Sequence, residues 1–159
     1  MPVVYLGLGS NMGTKEDNIR KALSLIEKLA VVKRTSPLYT TEPVGTIKQD
    51  WFLNCVVHIE TDMEPHKLLD ALKSLERTLG RVNPVKNAPR TIDIDILFYG
   101  NQIIHTRHLI IPHPLLQDRL FVLQPMMDLA PSFVHPLLNK SIQELYTNHP
   151  KTQQVQRYK

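Results

Sequence analysis

Asp93 and Asp95 are the residues of this chain best placed for chemistry. They lie in the run Pro89-Arg90-Thr91-Ile92-Asp93-Ile94-Asp95-Ile96-Leu97-Phe98, where Ile92, Ile94 and Ile96 alternate with Thr91, Asp93 and Asp95. A period of two marks a strand with the isoleucines on one face. The two carboxylates then share the other face, about 7 Å apart along the backbone at a rise of roughly 3.3 Å per residue. Aspartate is a poor strand former, and like charges side by side repel, so a strand that keeps both needs an opposing charge. One or two divalent cations held between the carboxylate oxygens supply it. Arg90 adds a cation for phosphate in the same run. The plainer alternative is a strand whose second face meets solvent.

The elements that must position this pair follow from pattern. Val3 to Leu8 reads as a first strand, followed by a glycine-rich turn, Gly7-Leu8-Gly9-Ser10-Asn11-Met12-Gly13, into a helix. The helix carries a capping-box pattern at Thr14 to Asp17 and runs to about Ala30 with the apolar stripe Ile19, Ala22, Leu23, Ile26, Leu29 and Ala30. Val31 to Tyr39 is a second strand, Thr40 to Gly45 a loop, and Trp51 to Thr61 a third strand. In that third strand Leu53, Cys55, Val57 and Ile59 face one way, and Asn54, His58 and Glu60 the other. Pro65 opens a second helix striped by Leu68, Leu72, Leu75 and Leu79, with Gly80 as its C-cap. The loop Arg81 to Arg90 leads into the aspartate strand. Tyr99-Gly100-Asn101-Gln102 signals a hairpin to a return strand over Gln102 to Ile111. A short helix is expected over Arg119 to Leu129, a last one capped by Ser141 and Glu144, and a loose polar tail from His149. The order βαββαβ, with strands two and three too close for a crossover helix, is the ferredoxin-like α+β pattern. Helices would cover one face and leave the other to carry Asn54, Asp93 and Asp95 toward a ligand.

The chain of 159 residues suits one domain spanning 1–159. A hydrophobic content of 42% with 21% charged residues is ordinary for a globular protein. The formal charge of +4 is mild and suits an anionic small molecule without demanding nucleic acid. The one cysteine, Cys55, excludes an internal disulfide and fits a reducing compartment. With no basic-then-apolar leader and no long apolar run, a cytoplasmic protein is expected.

Two other functional readings start from other residues. The glycine-rich first turn invites a dinucleotide, and Lys33 and Arg34 at the end of the second strand would suit NADP; the spacing G-x-G-x-x-x-G is one residue too long for the usual fingerprint. A nucleic-acid-binding ferredoxin-like module would want paired aromatics on the central strands, and Phe52 has no such context. His105, His108 and His113 fit no standard zinc spacing.

Taken together, several short motifs in one order resemble 6-hydroxymethyl-7,8-dihydropterin pyrophosphokinase, an enzyme of folate synthesis. They are Gly9-Ser10-Asn11, Thr41 to Gly45, Phe52-Leu53-Asn54, Gly80-Arg81-Val82, Pro89 to Ile96, Pro112-His113 and Arg119-Leu120-Phe121. The resemblance runs from Val3 to about Leu145. It implies transfer of pyrophosphate from ATP to the pterin hydroxymethyl group, with release of AMP, by a monomer whose partners are small molecules rather than nucleic acid or membrane. It implies that Asp93 and Asp95 hold two Mg²⁺, with Arg81, Arg90 and Asp95 as the catalytic residues. Arg81, Lys86, Arg90, His113, Glu76 and Ile96 would meet the nucleotide. Thr41, Pro43, Val44, Gly45, Phe52, Asn54, Arg119 and Phe121 would meet the pterin, Phe52 and Phe121 by stacking.

The loop before the aspartate strand departs from the family's usual Arg-Trp-Gly-Pro-Arg, reading Lys86-Asn87-Ala88-Pro89-Arg90, and Asn83 stands where a second arginine often follows Arg81-Val82. His108 replaces a basic residue found in some members. A tryptophan and an arginine that act only once both substrates are bound affect turnover more than binding in the open state. Asn87→Trp with Asn83→Arg is therefore expected to raise kcat/KM and to leave ATP affinity without pterin nearly unchanged, as read by steady-state kinetics beside the parent.

Overall fold

The computed structural model describes residues 1–43, 48–80 and 91–159. Its elements run β1 (Val3–Ser10), α1 (Lys15–Ile26), β2 (Val31–Thr35), β3 (Tyr39–Thr41), β4 (Phe52–Glu60), α2 (Pro65–Thr78), β5 (Asp93–Tyr99), β6 (Ile104–His105), β7 (Ile110–Ile111), α3 (Leu120–Leu129), α4 (Ile142–Asn148) and β8 (Val155–Arg157). The main sheet has the order β5-β1-β4-β3-β8, with β2 also paired to β4. Every described pairing is antiparallel, and the first βαββαβ unit has the strand order of the ferredoxin-like fold, as its sequence pattern implies.

Each face of the sheet buries its own core. On the first, α1 and α2 cover Leu6, Leu8, Cys55, Val57, Ile59, Ile92, Ile94 and Ile96. Helix α2 starts where Pro65 predicts: the Glu64 carboxylate accepts the N–H groups of His66 and Lys67, and Gly80 follows its end at a φ of +97° that favours glycine. Helix α1 is shorter than its stripe suggests, and the Thr14 side chain makes no capping hydrogen bond. On the second face, α3 and α4 cover only one half of the sheet, packing on Tyr5, Val56, Leu97 and Phe98. Ser141 and Glu144 form the full capping box expected for α4.

The strands differ from the pattern in four places. Gly7 and Gly9 lie inside β1, which continues to Ser10; Gly13, at a φ of +65°, is the glycine of the turn. The second strand breaks into β2 and β3 at Ser36-Pro37-Leu38, where proline has no N–H for a ladder. There the Ser36 hydroxyl accepts the Val56 N–H at 2.9 Å. The return strand expected over Gln102 to Ile111 is instead a separate two-stranded piece, β6 with β7. The polar tail is not loose: β8 pairs with β3, and the Tyr158 N–H donates to Leu38 O at 2.8 Å.

Strand β5 also carries a bulge. Tyr5 is opposite Phe98, but Leu6 is opposite Ile96, so Leu97 has no partner on β1. The bulge reverses the alternation, and Leu97 and Phe98 both join the second core. Phe98 is fully buried against the rings of Tyr5, Phe133 and His135. Truncation of a buried phenylalanine typically costs about 3–5 kcal/mol. Phe98→Ala should lower the unfolding free energy by that order, measured by denaturant titration of the metal-free protein.

Candidate active site

The uncovered half of the second face is a cleft. Its floor is β1, and its lining includes Gly7, Gly9, Asn54, Asp93, Asp95 and Phe121. Strand register arranges the floor in rows. Gly9 is opposite Asn54 on β4 and opposite Asp93 on β5; Gly7 is opposite Val56 and Asp95. The central strand thus contributes no side chain between the amide on one side and the carboxylates on the other. A Cβ at Gly9 would come within 2.6 Å of Asn54 Nδ2. The glycines that the sequence reading gave to a turn are the bare floor of the cleft, where two neighbouring strands bring their polar groups close.

Asn54 is 8% exposed, and its amide is held on both sides. Thr41 Oγ1 donates to Asn54 Oδ1 at 2.5 Å, and Asn54 Nδ2 donates weakly to Leu8 O at 3.4 Å. Phe52 and Phe121 line the same cleft. The Arg119 guanidinium lies 5.4 Å from the Phe121 centroid and 3.9 Å from Asp95 Oδ2.

The carboxylates share their face as the alternation predicts. Burial, and then the charge of Asp93, push the Asp95 carboxyl up to about 7; Lys73 and Arg119 pull it back, and Glu76 adds to the rise. Two hard oxygen donors in a cleft, with one carboxyl held this high, suit a divalent cation. Among the described residues no group of three or more metal-binding side chains forms a cage. Two carboxylates match Mg²⁺, which commonly takes one or two protein carboxylates and completes its shell with water and substrate phosphates.

Glu76 is buried against β5. It is 2% exposed. Its Oε2 accepts the Ile94 N–H at 2.6 Å, and Lys73 Nζ is 3.3 Å from its Oε1. It therefore ties α2 to the outer edge of β5. Along the same edge, the His113 N–H donates to Leu97 O at 3.0 Å. The His113 ring then reaches the cleft, with Nε2 3.9 Å from Asp95 Oδ2. Its Nδ1 accepts the Leu115 N–H, so in the neutral ring Nε2 carries the proton. Burial, and then Arg119, push His113 down to about 4, so it is a neutral donor at physiological pH.

The structure brings Thr41, Phe52, Asn54, Asp93, Asp95, Arg119 and Phe121 to one cleft, with His113 against Asp95. Ile96 is placed apart from them: its side chain is in the helix-covered core. Pro43 stands at the edge of the described residues, while Val44, Gly45, Arg81, Lys86 and Arg90 lie outside them. Sequence reasoning missed Gly7 and Gly9, assigned to a turn, and Gln153, assigned to a loose tail. It included Glu42 only within a loop; here that residue lines the cleft. The dinucleotide reading loses its basis, because Gly7 and Gly9 are in a strand and the Arg34 guanidinium is spent on the carbonyls of Asp128 and Leu129.

Residues 5–131 match the family described as 7,8-dihydro-6-hydroxymethylpterin-pyrophosphokinase (HPPK). The 2-amino-4-hydroxy-6-hydroxymethyldihydropteridine pyrophosphokinase of Aquifex aeolicus is 38% identical over 144 residues, which cover 91% of this chain and 90% of that protein. The protein of the same name from Bacillus subtilis is 42% identical over 130 residues, or 80% of this chain and 78% of that one. The folic acid synthesis protein of Dictyostelium discoideum is 43% identical over 148 residues, 93% of this chain but 22% of that protein. The chain thus spans about a fifth of the length of the longer relatives it matches. In fold it matches the crystal structure of wild-type Plasmodium falciparum HPPK-DHPS at a TM-score of 0.74 and 19% identity, over 92% of this chain and 44% of that one. No helix among the described residues is long and apolar enough to cross a membrane. With the family match over most of its length and relatives of similar size at about 40% identity, the chain belongs to the 7,8-dihydro-6-hydroxymethylpterin-pyrophosphokinase family.

Proposed function

We propose that this chain transfers pyrophosphate from ATP to the hydroxymethyl group of 6-hydroxymethyl-7,8-dihydropterin, giving AMP and the pterin pyrophosphate in folate synthesis. The observation that carries the reading is the row Asn54, Gly9, Asp93 across three strands. It sets a group suited to a heterocycle edge beside a group suited to a phosphate-bound cation, with nothing between them. On this reading the chain is one monomeric domain of the cytoplasm whose partners are the two small molecules.

The Asn54 amide, oriented by Thr41, meets the pterin edge with both donor and acceptor. Phe52 and Phe121 stack on the ring and exclude water. This directs the hydroxymethyl oxygen toward Asp93 and Asp95. The alcohol oxygen bonds to the β-phosphorus in line as the bond from that phosphorus to the AMP oxygen breaks, and the alcohol proton passes to solvent. Arg119, expected among the pterin contacts, reaches from the Phe121 ring to Asp95 and on this reading serves the phosphate side as well: it and the neutral His113 Nε2–H donate to phosphate oxygens as charge spreads over them. Two Mg²⁺, held by Asp93 and Asp95, would neutralise phosphate charge and acidify the attacking hydroxyl. Arg81, Lys86 and Arg90 belong to the same reading as phosphate contacts, Val44 and Gly45 as pterin contacts, and Glu76 and Ile96 as supports of the nucleotide side. The deciding experiment is incubation with ATP, Mg²⁺ and the hydroxymethyl pterin, scoring nucleotide products. AMP is expected; ADP, or no turnover, refutes the reading.

The raised Asp95 carboxyl fixes a sign. A carboxyl raised in the folded state favours folding below its ordinary value near 4, and that stability is lost as pH rises through about 7. Asp95→Asn removes the charge that causes the loss. The metal-free variant should melt above the parent at pH 8 and close to it at pH 5, while turnover with Mg²⁺ falls nearly to zero. A variant that melts well below the parent at both pH values would make the pair structural.

Gly9→Ala tests the bare floor. Its methyl group must displace the Asn54 amide from Thr41. Losing the hydrogen bonds of one oriented amide typically costs on the order of 1–3 kcal/mol. Pterin affinity should fall by that order, with affinity for a non-hydrolysable ATP analogue preserved, as measured by calorimetry. Equal losses for both ligands would remove the floor from pterin recognition.

A further inference from the structure

The last residues of the chain build one wall of the cleft. Strand β8 lies on the outer edge of β3, with Val155 opposite Thr41. Just before it, two glutamines grip Glu42. The Glu42 N–H donates to Gln154 O at 3.1 Å, the Gln154 N–H donates to Glu42 Oε1 at 2.8 Å, and Gln153 Nε2 donates to Glu42 O at 2.8 Å. Beyond β8, Tyr158 fastens the segment through its N–H to Leu38 O at 2.8 Å and its hydroxyl to Glu16 Oε2 at 3.4 Å. This segment is polar and half-exposed, and it contributes little to either core. Its hydrogen bonds converge on the residue next to Thr41, whose hydroxyl orients the Asn54 amide.

Gln153 does more than hold Glu42. It lines the cleft together with Thr41, Phe52, Asn54 and Phe121. One N–H of its amide donates to the Glu42 carbonyl, which fixes the amide and presents Oε1 as an acceptor. Among the described residues no group donates to that oxygen. A fixed acceptor on the wall of a cleft that Phe52 and Phe121 also line suits a planar heterocycle with N–H groups on its edge.

We propose that Gln153 is a specificity-determining residue of the pterin pocket, and that β8 is a positioning strap that holds Thr41 and Glu42 in register with Asn54. The inference rests on the proposed function for the identity of the heterocycle, while the strap itself rests only on the hydrogen bonds above. The catalytic carboxylates and the phosphate contacts are untouched by it, so the effect divides between the two substrates.

The test uses two variants of the full chain and one truncation. Gln153→Met keeps length and packing but removes the donor and the acceptor; Gln153→Glu keeps an acceptor; the truncation ends at Pro150. Gln153→Met should raise the KM for the hydroxymethyl pterin about tenfold, the worth of one or two hydrogen bonds, with the KM for ATP and kcat within about twofold of the parent. Gln153→Glu should recover part of the pterin affinity. In the ligand-free protein, the Glu42 amide should exchange with deuterium faster in both Gln153→Met and the truncation than in the parent. An unchanged pterin KM in Gln153→Met, or an equal rise for both substrates, overturns the specificity role. Unchanged protection of Glu42 in both Gln153→Met and the truncation overturns the strap. A parent that binds no pterin in a fluorescence titration refutes the functional reading and the specificity role together, and the exchange measurement still decides the strap.

Discussion

Repulsion between carboxylates on one edge strand is the constraint around which this protein is built. Asp93 and Asp95 lie side by side on β5, with Glu76 buried just behind the strand. The described cations acting on Asp95 are Lys73, which also pairs with Glu76, and Arg119. Such a strand is costly to keep in a sheet, and its backbone is held from both flanks. Strand β1 pairs along one side. On the other, the Glu76 carboxylate takes the Ile94 N–H and the His113 N–H meets Leu97 O, so an edge that could otherwise recruit a foreign strand is occupied. Isoleucines 92, 94 and 96 anchor the opposite face in the helix-covered core. The charges stay in position because the backbone beneath them has little freedom to move.

The same economy shapes the rest of the second face. Half of it is a conventional apolar core beneath α3 and α4. The other half has an absence of side chains at its centre, at Gly7 and Gly9, with polar groups on either side. Glycine weakens a strand interior through its backbone entropy and lack of packing. Here that cost falls on a central strand paired along both sides, where it is best tolerated. Arg119 and Phe121 straddle the start of α3 and join the two halves, one reaching Asp95 and the other lining the ring slot.

Much of this was legible in the sequence, because burial imposes period. The isoleucine alternation gave the shared face of Asp93 and Asp95, the leucine stripe and Pro65 gave α2, and Ser141 with Glu144 gave the start of α4. What escaped was set by tertiary partners. Gly7 and Gly9 look like a turn until Asn54 and Asp93 are known to flank them. Glu76 looks like an exposed helical acid until β5 supplies its N–H. Residues from Gln153 to Tyr158 carry too little apolar surface to announce a strand, and they are ordered by hydrogen bonds to β3 and Glu42, which no local pattern encodes. Ile96 shows the converse: a residue within the motif whose side chain serves the core rather than the cleft.

The bulge at Leu97 has a consequence of its own. A strand is a parity code, in which odd and even positions address opposite sides, and one unpaired residue inverts the code partway along β5. Upstream, odd positions carry the charges and even positions fill the helix-covered core. Downstream, Phe98 points into the core beneath α3 and α4, and Tyr99 returns to the core beneath α1 and α2. The strand is therefore two words written in opposite phase, one for chemistry and one for packing. Removing Leu97 would restore strict alternation and keep Phe98 and Tyr99 on their present faces, so the extra residue gives the second core one more side chain without turning the charges away from the cleft.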